Sequence, residues 1–161
     1  MAGVRMRIGL VSDTHGLLRP QALEALRGSD HIVHGGDIGR DGAILAQLRA
    51  IAPVTAVRGN NDVGDWAAAI RETETIEIGG IRIHVLHDLK ALAIDPAAQA
   101  IDAVVAGHSH KPLVEQRGAV LYVNPGSAGP RRFSLPVSVA LLQVSAHGEV
   151  SARIVDLLAG L

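Results

Sequence analysis

The sequence predicts an α/β fold with mixed β-sheets, and three observations carry that expectation. The first sixty residues alternate apolar strand-like runs with short amphipathic helices, a diglycine then joins two period-two segments, and the last fifty residues are rich in strand formers. "RMRIGLVSD" reads as a buried strand ending at Ser12. "RPQALEALRG" is a short helix with Pro20 near its start and Gly28 just past its end. "DHIVHGGD" repeats the strand-then-glycine pattern, "DGAILAQLRAIAP" is a second helix with Ile44, Leu45, Leu48 and Ile51 on its apolar side, and "VTAVRGNND" is a third strand. Such a β-α-β-α-β order favours a parallel sheet whose strand C-termini share one edge.

After Asp65 the pattern changes. "TETIEI" alternates with period two, Gly79 and Gly80 supply a turn, and "IRIHVLH" returns as the partner strand of a hairpin. "DPAAQAI" is expected to be a short helix and "AVVAG" a strand. From Leu113 onward "LVEQRGAVLYVN" and "PVSVALLQVSAHGEVSARIVDL" read as strands, with a turn at Ala146 to Glu149, so the second half is expected to be mainly antiparallel. No repeat, low-complexity tract or linker divides the chain, and residues 1–161 are expected to form one domain.

Composition narrows the function. With no cysteine among 161 residues, neither a disulfide nor a thiolate zinc site can form. The apolar run of "MAGVRMRIGLVSD" is too short for a secretory segment, and nothing approaches the roughly 20 apolar residues of a membrane span, so a cytoplasmic protein without a membrane partner is expected. A net charge of −1 with dispersed Lys and Arg offers no footprint for nucleic acid. Trp66, Tyr122 and Phe133, the only aromatics besides histidine, are too few for a base-stacking platform. A homo-oligomer is compatible with the sequence but not specified by it.

Eighteen glycines and eight histidines stand out, mostly at strand ends. "SDTH" supplies Asp13 and His15, "HGGD" Asp37, "RGNND" Asn60, Asn61 and Asp62, "VLHD" His87, and "GHSH" His108 and His110. Groups beyond the carboxyl ends of neighbouring strands converge on one crevice. Carboxylates, an amide and four imidazoles gathered there would be expensive to desolvate without a cation among them. In Asp-x-His and His-x-His an extended backbone would send both side chains to one side. Gly36, Gly59 and Gly107, each before a candidate ligand, would let the chain turn and approach the ions. Taken singly, His-x-His can be a solvated loop and "GGD" or "GNND" an ordinary turn. Five such elements together favour a pair of divalent metals, with a carboxylate such as Asp37 bridging ions about 3.5 to 4 Å apart. Nitrogen and oxygen ligands without sulfur suit Mn, Fe, Co, Ni or Zn.

Of the remaining residues, His34 fits either a core histidine or a support for the ligands, and His31, His84 and His147 are assigned to strand or turn surfaces. Arg131 and Arg132 are candidate phosphate contacts, because planar guanidinium suits phosphate oxygens; a solvated loop pair is the alternative. Lys111 is a weaker candidate. Ser12 and Thr14 read as local backbone partners rather than nucleophiles.

The ordered set D-x-H, G-D, G-N-x-D, H and G-H-x-H, spread from Asp13 to His110, resembles the signature of the calcineurin-like metallophosphoesterases. With "NPGS" at Asn124 to Ser127, the chain is most similar to their small single-domain bacterial and archaeal branch. The resemblance implies a four-layer αββα sandwich of two mixed sheets flanked by helices. It further implies a binuclear site that hydrolyses small phosphodiesters or phosphomonoesters, with two divalent ions of which Mn²⁺ is the first expectation. Asp13, His15 and His110 would hold one ion, Asn60, His87 and His108 the other, and Asp37 would bridge them. A hydroxide between the ions would attack phosphorus in line, with Asp37, His108 and Asn61 around the reacting group and Asn61, Arg131 and Arg132 contacting substrate.

Two positions depart from the family pattern. Asn61 replaces the histidine that many relatives carry after the motif asparagine, and an amide donates a hydrogen bond but cannot act as a general acid near neutral pH. Asp88 follows His87 where relatives often have glycine, adding negative charge near the pocket. One alternative function is a non-catalytic protein-interaction scaffold like the retromer subunit that resembles this family; that subunit lacks several of the metal-binding histidines, whereas all are present here. A metallo-β-lactamase type is disfavoured, because "HSHKPL" does not continue as H-x-H-x-D-H.

Overall fold

A computed structural model describes residues 3–159. Two five-stranded mixed sheets make the frame. The first has the order β10-β9-β1-β2-β3, from Val150–Asp156, Ser138–Ser145, Val4–Val11, His31–His34 and Val54–Ala56. The second has the order β4-β5-β6-β8-β7, from Thr73–Ile78, Ile81–Leu86, Ala103–Val105, Val120–Asn124 and Leu113–Arg117.

Period-two patterning places the core. On β1, Ile8 and Leu10 point between the sheets, where they meet Val33, Ile83, Val85, Val105, Val123 and Leu142. The alternate residue Val11 points outward with Ile32 and Val139, where α1 (Pro20–Leu26) and α2 (Ala43–Arg49) cover the first sheet through Ala22, Leu26, Leu45 and Leu48. Each such buried Val, Leu or Ile side chain contributes about 1.5 to 3 kcal/mol. The β1-α1-β2-α2-β3 run is parallel as expected, with Leu10 paired to Val33 and Val33 to Thr55.

The sandwich is thus the expected one, with a thin fourth layer. The outer face of the second sheet carries a 3₁₀ turn, Leu89–Ala91, and an irregular loop that caps Leu86, Ile101 and Val104. "DPAAQAI" forms one turn rather than a helix. Asp95 Oδ1 accepts from Ala98 N, Ile101 N closes on Pro96 O at 2.9 Å, and Ala100 at φ 55° ends it before a second turn can form. A short helix not read from the sequence, α3 (Asp65–Ala68), follows the "GNND" loop and packs Trp66 on the first sheet's outer cluster. The second sheet is antiparallel at its edges, yet β5-β6 and β6-β8 pair in parallel, because crossovers return the chain in the same direction. Among the described residues no helix is long and apolar enough to cross a membrane.

Candidate metal centre

The parallel strands β1, β2 and β3 of one sheet and β5 and β6 of the other end on the same side, and the loops beyond them are sewn together. Asp13 N donates to Gly36 O at 3.0 Å, His15 N to Asp37 O at 2.9 Å and Gly107 N to His87 O at 2.9 Å. Asp13, His15, Asp37, His108 and His110 all have φ between 47° and 71°. The backbone there is left-handed rather than extended, which corrects the expected reason for the Asp-x-His and His-x-His spacing. Alternate left-handed residues turn both side chains of each pair inward, at a cost of about 1 to 2 kcal/mol per residue. Glycine precedes ligands for want of room. A Cβ on Gly107 would overlap Ser12 Oγ and Asp13 Oδ2, and one on Gly59 would overlap the Asp37 carboxylate.

The side chains form two adjoining clusters. Asp13, His15 and His110 offer ligand atoms within 4.8 Å of one another, as do Asp37, His87 and His108. Asp37 Oδ2 reaches both, lying 3.2 Å from His87 Nε2 and 3.8 Å from His15 Nε2. Asp13 Oδ1 lies 3.3 Å from His110 Nε2, 3.8 Å from His15 Nε2 and 3.9 Å from His87 Nε2. Asp13 Oδ1 and His15 Nε2 are buried and have no hydrogen-bond partner among the described residues. Buried electron-pair donors left unsatisfied cost about 1 to 3 kcal/mol each, and a cation among them removes that cost, so the residues fit a divalent pair.

Burial pushes the Asp13 carboxyl up, but the His110 ring and Ser12 hydroxyl beside it, with the field of His87, outweigh burial and hold it below the usual carboxylate range. Asp37 behaves alike: burial raises it, while His87 and the Asn61 backbone and side chain pull it far below the usual range. Both are therefore charged at neutral pH. For His87, burial lowers the pKa, but Asp37 and the Gly35 carbonyl more than compensate and raise it. Because Gly35 O can only accept, His87 Nδ1, 2.8 Å away, carries a proton and leaves Nε2 facing Asp37.

A second set of contacts fastens these loops. Asp62 accepts from Gly59 N at 2.9 Å, Gly39 N at 3.1 Å and Ile38 N at 3.2 Å, locking the "GNND" loop to the Asp37 loop. Asn124 Nδ2 donates to Gly107 O and Ser109 Oγ, and Ser127 Oγ donates to Asp13 O, so "NPGS" ties down both the first and last ligand loops. Ser12 Oγ donates to the Asp13 carboxylate, Oδ2, at 2.7 Å rather than to the local backbone expected for it. His34 is fully buried: Nδ1 accepts from Gly36 N, so Nε2 donates to Thr14 Oγ1, which in turn donates to Ile38 O. Burial drives the His34 pKa down to about 4. The roles of Asp62 and Asn124 were missed as such; their only signal in the sequence was an acidic residue ending "GNND" and the asparagine of "NPGS".

Other expected residues fall as follows. Asn60 lines a cavity of about 310 Å³ with His87 and His108. Asn61 donates from its backbone to Asp37 Oδ1 at 2.9 Å and from its side chain to Asp37 Oδ2 at 3.0 Å, so its amide sits on the carboxylate expected to bridge. Asp88 Oδ2 is 3.8 Å from His108 Nε2. Arg131 lines a separate small cleft with Pro136, Asp156 and Leu158, which holds none of the ligand candidates, and Arg132 is exposed. His84 is buried rather than on the surface, enclosed on β5 and bonded to Thr75 Oγ1 at 2.8 Å; His31 is half-buried on Thr55.

A match to the calcineurin-like phosphoesterase superfamily domain spans residues 6–147. The chain belongs to that superfamily. It is 30% identical over 168 residues to the probable metallophosphoesterase MJ0623 of Methanocaldococcus jannaschii, covering 96% of this chain and 83% of the relative. It is 28% identical over 160 residues to the phosphodiesterase YfcE of Escherichia coli, covering 85% of this chain and 87% of the relative. Among solved structures it resembles a single-substitution variant of Vps29 from Entamoeba histolytica, with a TM-score of 0.68, 26% identity and coverage of 94% of this chain and 99% of that one. This calcineurin-like chain therefore has the expected fold of paired mixed sheets, and its relatives together with its two clusters support a metal-dependent hydrolase of phosphoesters.

Proposed function

We propose that residues 1–161 act as one domain that hydrolyses small phosphodiesters or phosphomonoesters at a binuclear divalent-metal centre. The observation that carries this reading is Asp37 Oδ2 within 4 Å of both a His15 and a His87 ring nitrogen, between two three-ligand clusters. Asp13, His15 and His110 would hold one ion, Asn60, His87 and His108 the other, and Asp37 both. Mn²⁺ is the first choice, with Fe, Co, Ni or Zn compatible with the same nitrogen and oxygen donors. Bound ions would activate water as the nucleophile and neutralise charge on the phosphoryl oxygens.

The chain's own residues do the rest. Asp13 and Asp37, ionised at neutral pH, present charge without a proton to remove. The Gly35 carbonyl fixes the His87 tautomer so that Nε2 faces inward. Asn61 would donate its amide N–H to substrate once Asp37 turns to the ions, but it brings no proton to the leaving group, so esters with good leaving groups should be favoured. A cytoplasmic site of action belongs to the same proposal.

A non-catalytic interaction scaffold is the second reading, favoured by the likeness to Vps29. The complete ligand set favours catalysis. The test is a panel of phosphomonoesters and diesters assayed with metal-stripped protein and then with each divalent metal. Hydrolysis restored by metal supports the proposal, and no hydrolysis with any metal favours the scaffold.

A further inference from the structure

Beside the candidate metal centre, the outer face of the second sheet opens into a cleft of about 640 Å³. Its floor follows from strand periodicity. Val104 and Ala106 extend the outer row of β6, Tyr122 and Asn124 that of β8, and Leu113 that of β7, paired with Asn124. The 3₁₀ turn at Leu89–Ala91 makes the opposite wall and stops short, because the fourth layer of the sandwich holds no long helix there. The lining is mainly apolar and continuous with the site through His108.

We propose that this cleft is a subsite for a flat apolar group, such as an aryl ring, esterified to the phosphate that reacts at the metal centre. The inference rests on the phosphoesterase reading and adds the substrate class. The volume falls within the roughly 300 to 1,000 Å³ of small-molecule sites. Lys90 and Lys111 stand exposed at the mouth and complement an anionic ester, while Asp88 is the single acidic residue of the lining. The Arg117 guanidinium of the adjacent strand lies 4.4 Å from the centroid of the Tyr122 ring, and Arg117 is itself paired with Glu115 at 2.9 Å. The half-buried Tyr122 ring gives the cleft an aromatic wall.

The test compares two non-hydrolysable probes, benzylphosphonate and methylphosphonate, by calorimetry on Mn²⁺-supplemented protein, alongside hydrolysis of phenyl and methyl p-nitrophenyl phosphate. Wild type should bind benzylphosphonate about tenfold more tightly, the scale set by apolar contacts in a pocket. Tyr122→Ala and Leu113→Asp should abolish that preference while the affinity for methylphosphonate changes less than about twofold and both esters are still hydrolysed. Leu113 is exposed on an edge strand, so its variant keeps the test open if Tyr122→Ala does not fold. Equal binding of the two phosphonates by wild type, or a preference that survives both variants, overturns the subsite and leaves the phosphoesterase reading standing. Binding of neither phosphonate with hydrolysis of neither ester overturns both.

Discussion

Asn124 Nδ2 donates to the carbonyl of Gly107 at 3.0 Å, and through that bond the end of β8 sets the position of the loop that carries His108 and His110. The same amide holds Ser109 Oγ at 3.1 Å, and Asn124 Oδ1 accepts from Gly126 N at 2.9 Å. All three contacts come from one buried side chain that touches neither cluster. Asn124→Ala should therefore weaken Mn²⁺ binding by about 10- to 100-fold, the usual effect of removing support behind metal ligands. Calorimetric titration checks this, and unchanged affinity would mean that the loop holds its shape unaided.

Asp62 is a structural carboxylate. Its removal leaves the amides of Gly59, Ile38 and Gly39 without acceptors in a mostly buried loop. Asp62→Ala should lower stability by about 3 kcal/mol, read from urea unfolding of metal-free protein. A loss below about 1 kcal/mol would show that water replaces the carboxylate.

Burial keeps His34 neutral, with a folded pKa of about 4 against 6.5 when unfolded. Above pH 6.5 both states are neutral and the group has no effect. Between pH 6.5 and 4 only the unfolded state takes the proton, so stability falls as the pH drops, by about 2 kcal/mol from pH 7 to pH 5. Metal-free wild type should lose that much more than His34→Asn over the same interval in urea unfolding. Equal losses would assign the acid sensitivity to other groups.

How far these features can be read from the sequence depends on their range. The ligands were legible because chemistry-bearing residues follow apolar runs, and the run itself marks the strand end; Asp13, Asp37, His87 and His108 all lie where that rule puts them. The left-handed backbone was not, because φ at Asp13 or His108 is set by bonds to Gly36 and Asp13 from distant loops. Asp62 looked like turn chemistry, since its three amide partners lie in two loops joined only by folding. His84 is buried against the surface expectation, because β5 pairs with β4 on one side and β6 on the other, and the hairpin pattern shows only the first of these. Arg131 follows a loop that abuts the centre, yet its side chain lies in another cleft, which periodicity cannot reveal.

Asn61 is expected to limit leaving-group range. Asn61→His would place an imidazole, able to carry a proton, where an amide now meets Asp37. The ratio of kcat/KM for an alkyl ester to that for a p-nitrophenyl ester should rise by about tenfold or more. An unchanged ratio would show that position 61 does not reach the leaving oxygen.

Asp37 organises the proposed metal pair. The most direct measurement is hydrolysis of bis-p-nitrophenyl phosphate by metal-stripped protein as Mn²⁺ is added, at a protein concentration well above the dissociation constants. Activity should climb through the second equivalent of Mn²⁺ per chain and fall at least about 10²-fold in Asp37→Ala. Full activity at one equivalent, or activity unchanged in that variant, would contradict it.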